Sequence, residues 1–162
     1  MDVTVRFART KEAPAVHHIL MEAFAPYQGI IKPPFKVMRT TPESIAEGIR
    51  SRRHRYAVAV VDDMPVGTLR LTPKRCERVG NYWLLSRLAV LPEFQGGHIA
   101  RRLISWMHDK ALEYEVPELR GHVRTALPRL LKFYQRCGYK VIGYLSIPGF
   151  PQYITVIGRR TL

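Results

Sequence analysis

The residues best placed to do chemistry sit in one short segment, Gln95-Gly96-Gly97-His98-Ile99-Ala100-Arg101-Arg102. An apolar run reaches Pro92 just before it, and an amphipathic pattern opens at about His98 just after it, so the order is strand, turn, helix. The first backbone N–H groups of a helix have no partner inside the helix, and the aligned peptide dipoles put partial positive charge there. A phosphate or other anion is therefore favoured at this point. Arg101 and Arg102 oppose the dipole unless an anion lies in front of them. A solvated basic turn is the plainer reading of the same residues. An imidazole at His98 fits the turn if its φ is negative, because a Cβ resists the left-handed region that glycine enters freely.

Seven strands and four helices are expected to position this segment. Residues 3–8 alternate as a first strand, and a helix capped by Thr10 runs to Phe24. An irregular, aromatic stretch covers residues 25–41. Thr41-Pro42-Glu43-Ser44 then reads as cap, first-turn proline and early acid of a second helix. Residues 55–61 and 66–71 form a hairpin about Asp62-Asp63-Met64-Pro65, a polar basic loop covers residues 72–80, and a fourth strand starts at Asn81. That strand is apolar on both faces except at Ser86 and Arg87, a break that suits a bulge or a ligand. The helix after His98 carries Ile99, Leu103, Met107, Ala111 and Tyr114 on one stripe. A fifth strand (119–123), a helix through Tyr134 stopped by Gly138, and strands 139–147 and 153–158 complete the chain.

The 162 residues fit a single domain, read here as 1–162, with 46% hydrophobic and 24% charged residues. No apolar run approaches the ~20 residues that cross a bilayer, and the N-terminus is a strand pattern rather than a leader, so a cytoplasmic protein with no membrane partner is expected. Two cysteines give neither a disulfide framework nor a zinc motif, and adjacent His17 and His18 point apart on a helix, so no metal is expected. The net charge of +13 favours polyanionic partners without choosing among them. The cluster at residues 50–55 reads as a solvated helix end.

Two stretches together resemble the GNAT superfamily of acetyl-CoA-dependent N-acetyltransferases. The segment Leu88-Ala89-Val90-Leu91-Pro92-Glu93-Phe94-Gln95 followed by Gly96-Gly97-His98-Ile99-Ala100 is similar to the family's R/Q-x-x-G-x-G/A loop. Gln95 and Ala100 occupy its ends, and His98 stands where the family has its middle glycine. Leu130-Leu131-Lys132-Phe133-Tyr134-Gln135-Arg136-Cys137-Gly138-Tyr139 is similar to the family's F-Y-x-x-x-G-F/Y.

The resemblance implies an α/β (α+β) domain: a mixed, mostly antiparallel sheet of about seven strands with about four helices, its fourth and fifth strands splayed. It implies acetyl-CoA as acyl donor, with Leu88, Ala89 and Val90 along the pantetheine arm. Gln95, Gly96, Gly97, His98, Ile99 and Ala100 would lie on the pyrophosphate, with Arg101 or Arg102 adding charge. It makes Tyr134 the acid for the departing thiolate, where the residue alone reads as a packing tyrosine; a phenol near its ordinary pKa of about 10 can give that proton. The family asparagine seven residues earlier is replaced by Leu127.

The family's glutamate base on the fourth strand is missing, and His122 is taken as catalytic base, with Glu93 or a water on backbone carbonyls as alternatives. The acceptor, an amine of a small molecule or peptide, is expected against Phe24, Tyr27 and Phe35, with Phe150 on an arch between the last two strands. The resemblance leaves room for a homodimer and for a propionyl or succinyl donor. The competing reading is a non-catalytic, basic nucleic-acid or ribosome-binding protein that keeps the fold. It gains support from the charge and the missing base, and loses it because no sheet face interleaves aromatic and basic residues.

Overall fold

The computed structural model describes residues 1–162, which divide into two units: Met1–Thr72 with Arg87–Met107, and Pro73–Ser86 with His108–Leu162. In the first unit the alternation at the N-terminus condenses into β1 (Thr4–Phe7), antiparallel to β2 (Arg55–Val61). Asp62 and Asp63 both take positive φ, 50° and 62°, as a tight two-residue hairpin requires, and β2 returns as β3 (Met64–Cys76). Helices α1 (Ala13–Phe24) and α2 (Pro42–Arg50) fill the connection between β1 and β2. The hydroxyl of Thr41 accepts from Ser44 N at 3.1 Å, and Ser44 Oγ accepts from Thr41 N at 3.0 Å, so α2 begins where its cap lies.

Strand β4 (Gly80–Val90) and helix α3 (Ile99–Glu113) each begin or end in the loop that carries Gln95 and His98. Gly67 on β3 is where α3 approaches the sheet: a Cβ there would meet Ile99 Cγ2 at 2.9 Å and Leu103 Cδ1 at 3.2 Å. In the second unit, β5 (Glu118–Arg124) is parallel to β4 over three pairs, Trp83 to Leu119 through Leu85 to Gly121. Helix α4 (Pro128–Arg136) follows, then β6 (Lys140–Ile147) and β7 (Phe150–Arg160), which pairs with both β5 and β6. Hydrogen bonding orders the seven-stranded sheet β1-β2-β3-β4-β5-β7-β6, mixed and mostly antiparallel. The strand and helix counts match the expectation.

Four local expectations are corrected. Thr10 does not cap α1; it opens a 3-10 turn, Thr10–Glu12, in which the Glu12 carboxylate accepts from Arg9 N at 2.9 Å. A carboxylate already held by Arg6 at 2.7 Å is the stronger acceptor. The loop expected at 72–80 is mostly strand, because β3 continues to Cys76 and β4 starts at Gly80. Polar exposed residues read as loop in sequence, yet an exposed strand end needs no apolar pattern. Tyr114 lies beyond α3 and is 46% exposed, its ring edge-on to Trp83 at 5.7 Å. The arch expected at 147–153 is a tight hairpin, since Ile147 pairs with Phe150 and Gly149 supplies φ 83°.

Candidate active site

The loop after β4 is built almost entirely from backbone. Leu91 N donates to Val66 O at 2.8 Å, and Gln95 Nε2 donates to Val90 O at 3.0 Å, so both ends are tied to the sheet. The first backbone N–H after Gln95 to find an acceptor in the chain is Arg102, bonded to His98 O at 3.0 Å. Six successive amides, 96–101, thus have no acceptor within the chain at the start of a 15-residue helix. Gly96 takes φ 84° with nothing within 4 Å of where its Cβ would lie, and Gly97 and His98 are exposed. The run of donors is open at Gly96, while Met1 Cε stands 3.4 Å from where a Cβ on Gly97 would lie, and such a run of unpaired amides suits a pyrophosphate.

His98 itself has φ 63°, against the expectation that its Cβ required a negative value. The left-handed region costs a residue with a Cβ about 1–2 kcal/mol and histidine enters it more readily than most. The turn accordingly keeps its glycine-like course with an imidazole in place. The two arginines part company: Arg101 is exposed, whereas Arg102 Nη2 donates to Val3 O at 2.8 Å, one residue before β1. On β4, Ala89 and Val90 are buried and Leu88 half-buried.

The aromatic residues expected at the acceptor end also divide. Phe24, Tyr27 and Phe35 gather in the first unit with ring centroids 5.1–6.3 Å apart. Phe150 belongs to the second unit, at the start of β7.

Tyr134 lies on the last turn of α4 and is 6% exposed, edge-on to Phe133 and Tyr139 at 5.4 and 5.5 Å. Burial drives its pKa far above the ordinary phenol value, with Cys137 adding to the shift, so the hydroxyl keeps its proton at neutral pH and, against the expectation of an ordinary phenol, is a weaker acid than a free tyrosine. Tyr139 Oη, behind it, is buried with no hydrogen-bond partner. Leu127 stands at the N-cap of α4 with no side-chain cap. His122 projects from β5, its pKa lowered by desolvation of the ring and by the Lys74 ammonium, which keeps it neutral and able to accept a proton. A cavity of about 320 Å³, lined by Phe7, Ile49, Arg52, Arg55 and others, contains none of the expected site residues.

A GNAT acetyltransferase domain model matches residues 52–141, more than half of the chain. The chain belongs to the GNAT acetyltransferase family. Solved structures carry the likeness across the full length. A GNAT-family acetyltransferase from Streptococcus pneumoniae has TM-score 0.77 at 14% identity, covering 98% of this chain and 99% of that one. A spermidine N-acetyltransferase chimera involving Vibrio cholerae has TM-score 0.75 at 18% identity, covering 99% and 96%. The PaiA N-acetyltransferase of Thermoplasma acidophilum, in complex with coenzyme A, has TM-score 0.71 at 17% identity, covering 99% of each chain. Among curated proteins, none matches the chain by sequence.

Within this GNAT chain, one group of residues escaped the sequence reading. Arg87, whose break in β4 was noticed, has φ 55° and donates from Nη1 to Tyr56 Oη at 2.9 Å. Tyr56 in turn is paired directly with Arg70 across β2 and β3. The hairpin register puts Tyr56 and Arg70 on one face, and counting back from the Asp62-Asp63 turn would have found them if the bulge between Ala59 and Val60 were known.

Proposed function

We propose that the protein is an N-acetyltransferase that moves the acetyl group of acetyl-CoA directly to a primary amine of a small molecule or peptide. The single observation that carries this reading is the run of six unbonded amides, 96–101, at the head of α3, in a chain of this family. Acetyl-CoA supplies the activated acyl group and a thiolate leaving group. In this reading the amides of residues 96–101 and Arg101 hold its pyrophosphate, Arg102 steadies the loop through β1, and Leu88, Ala89 and Val90 flank the pantetheine arm by main chain. Tyr134 gives its proton to the leaving sulfur; its buried phenol is held neutral until then. His122 takes the proton that the acceptor ammonium must lose before it can attack. Phe24, Tyr27 and Phe35 form the apolar wall for the acceptor, with Phe150 as a further contact.

Residues 1–162 act as one N-acetyltransferase domain in this account. A cytoplasmic setting suits acetyl-CoA and the absence of a disulfide at Cys76 and Cys137. No helix is long and apolar enough to cross a membrane. Strand β6 ends the sheet and exposes Ile142, Tyr144 and Leu145, which is the surface on which a homodimer would form.

The test is calorimetric titration of CoA-free protein with acetyl-CoA, followed by thiol release on addition of primary amines. Micromolar binding and amine-dependent thiol release support the reading. Absence of acetyl-CoA binding overturns it and leaves polyanion binding as the function to pursue.

A further inference from the structure

The interior-facing polar residues of the β2–β3 hairpin are mostly spent on the hairpin itself. Thr68 Oγ1 donates to Ala57 O at 2.8 Å, and Thr72 Oγ1 and His54 Nδ1 share a hydrogen bond of 2.8 Å. Arg70, between them on the same face, carries a full charge into half-buried surroundings. Tyr56 opposite it is 2% exposed, and its hydroxyl accepts from Arg87. Two guanidinium groups therefore meet at one phenol hydroxyl. Partial burial and the Arg87 cation both lower the pKa of Arg70, while Tyr56 raises it.

Two like charges that share one hydroxyl repel each other, an anion between them would relieve that repulsion, and a guanidinium is the side chain that matches a carboxylate or phosphate two bonds at a time. Both arginines keep part of their surface open. The place in the chain adds the rest: Arg87 sits at a left-handed kink of β4, directly before Leu88, Ala89 and Val90. The kink turns a side chain out of the regular alternation of the strand.

We propose that Arg70 and Arg87, joined by Tyr56, bind an oxyanion on the amine acceptor, a carboxylate or a phosphate, and so make this an acetyltransferase for anionic amines. The inference rests on the acetyltransferase reading above. A polyamine would bring further positive charge to two cations and is disfavoured as acceptor. The acceptor class is an amino acid, a short peptide with a free carboxylate nearby, or an amine phosphate.

The experiment offers probes in matched pairs to the protein with and without saturating CoA. Alanylglycine is paired with its C-terminal amide, phosphoethanolamine with ethanolamine, and spermidine is added alone; binding is read by calorimetry and acetylation by thiol release. The expected result is that at least one anionic member binds about tenfold or more tighter than its neutral partner, the scale of a charge-assisted pair of hydrogen bonds. The carboxylate and phosphate arms tell which oxyanion is meant. In Arg70→Gln and Arg87→Gln the preference falls below about threefold while acetyl-CoA affinity stays unchanged, and Arg87→Lys retains part of it. A purely structural role for the arginines lowers thermal stability and leaves the preference intact. The proposal is overturned if the neutral probes or spermidine bind as tightly as the anions, if no anion binds below about 10 mM, or if the preference survives both glutamine variants. Where a glutamine variant fails to fold, the wild-type pairs decide alone. Failure of acetyl-CoA to bind sinks the enzymatic reading, while the probe pairs on CoA-free protein still judge the anion site.

Discussion

The loop at the head of α3 and the end of α4 carry the two halves of the proposed chemistry in opposite ways. The loop offers backbone: six successive amides have no acceptor within the chain, and most of its residues act through main chain rather than side chain. The α4 end offers one side chain, the hydroxyl of Tyr134, shielded from water by Phe133 and Tyr139. A site made of main chain tolerates a departure such as His98, whereas a site made of one hydroxyl tolerates none.

The largest effect that separates the two is expected at Tyr134. Tyr134→Phe removes the proton donor but not the ring packing, and steady-state kinetics should show kcat lower by about 10²–10⁴ with KM for acetyl-CoA little changed. An equal loss in acetyl-CoA binding would mean that the tyrosine works by packing. Next comes Arg101→Ala, which should weaken acetyl-CoA binding about tenfold by calorimetry, the scale of one charge-assisted bond, without changing kcat at saturation. Arg102→Ala is expected to act through stability instead, because its guanidinium holds Val3.

A smaller effect is predicted for His98→Gly. Glycine takes φ 63° freely, so the variant should match or exceed the wild type in acetyl-CoA affinity and differ in stability by about 1 kcal/mol or less, as read by thermal melts. A large loss of affinity would show that the imidazole, and not the backbone, meets the ligand.

The last effect, on stability alone, concerns the Arg6–Glu12 pair. Glu12 has its pKa lowered from 4.5 to about 2, first by the hydrogen bond from Arg6 and opposed by burial. Its native pKa is below its unfolded one, so its contribution is complete above about pH 4.5 and is lost as pH falls towards about 2. Melting temperatures of Glu12→Gln and wild type should therefore differ at pH 6 and converge near pH 2.

What could be read from residues alone follows the same division. The cap of α2, the Asp62-Asp63 turn and the stop at Gly138 are local, and each was visible because one residue type satisfies one backbone need. The phosphate loop was visible because its order of strand, turn and helix is continuous in the chain. The pairing of Tyr56, Arg70 and Arg87 was not, because it depends on register between three strands and on a bulge that no residue announces. The aromatic group at Phe24, Tyr27 and Phe35 lay between these cases: its stickiness was legible, its closure only after folding. The turn of Arg102 towards Val3 spans 99 positions and left no trace in sequence.

The most direct test of the account follows the backbone amides themselves. Acetyl-CoA titrated into isotopically labelled, CoA-free protein should shift the amide resonances of residues 96–101 most strongly, at micromolar concentrations and equally in Tyr134→Phe. Binding whose largest shifts lie away from that loop, or no binding at all, would contradict the claim that the loop holds the cofactor.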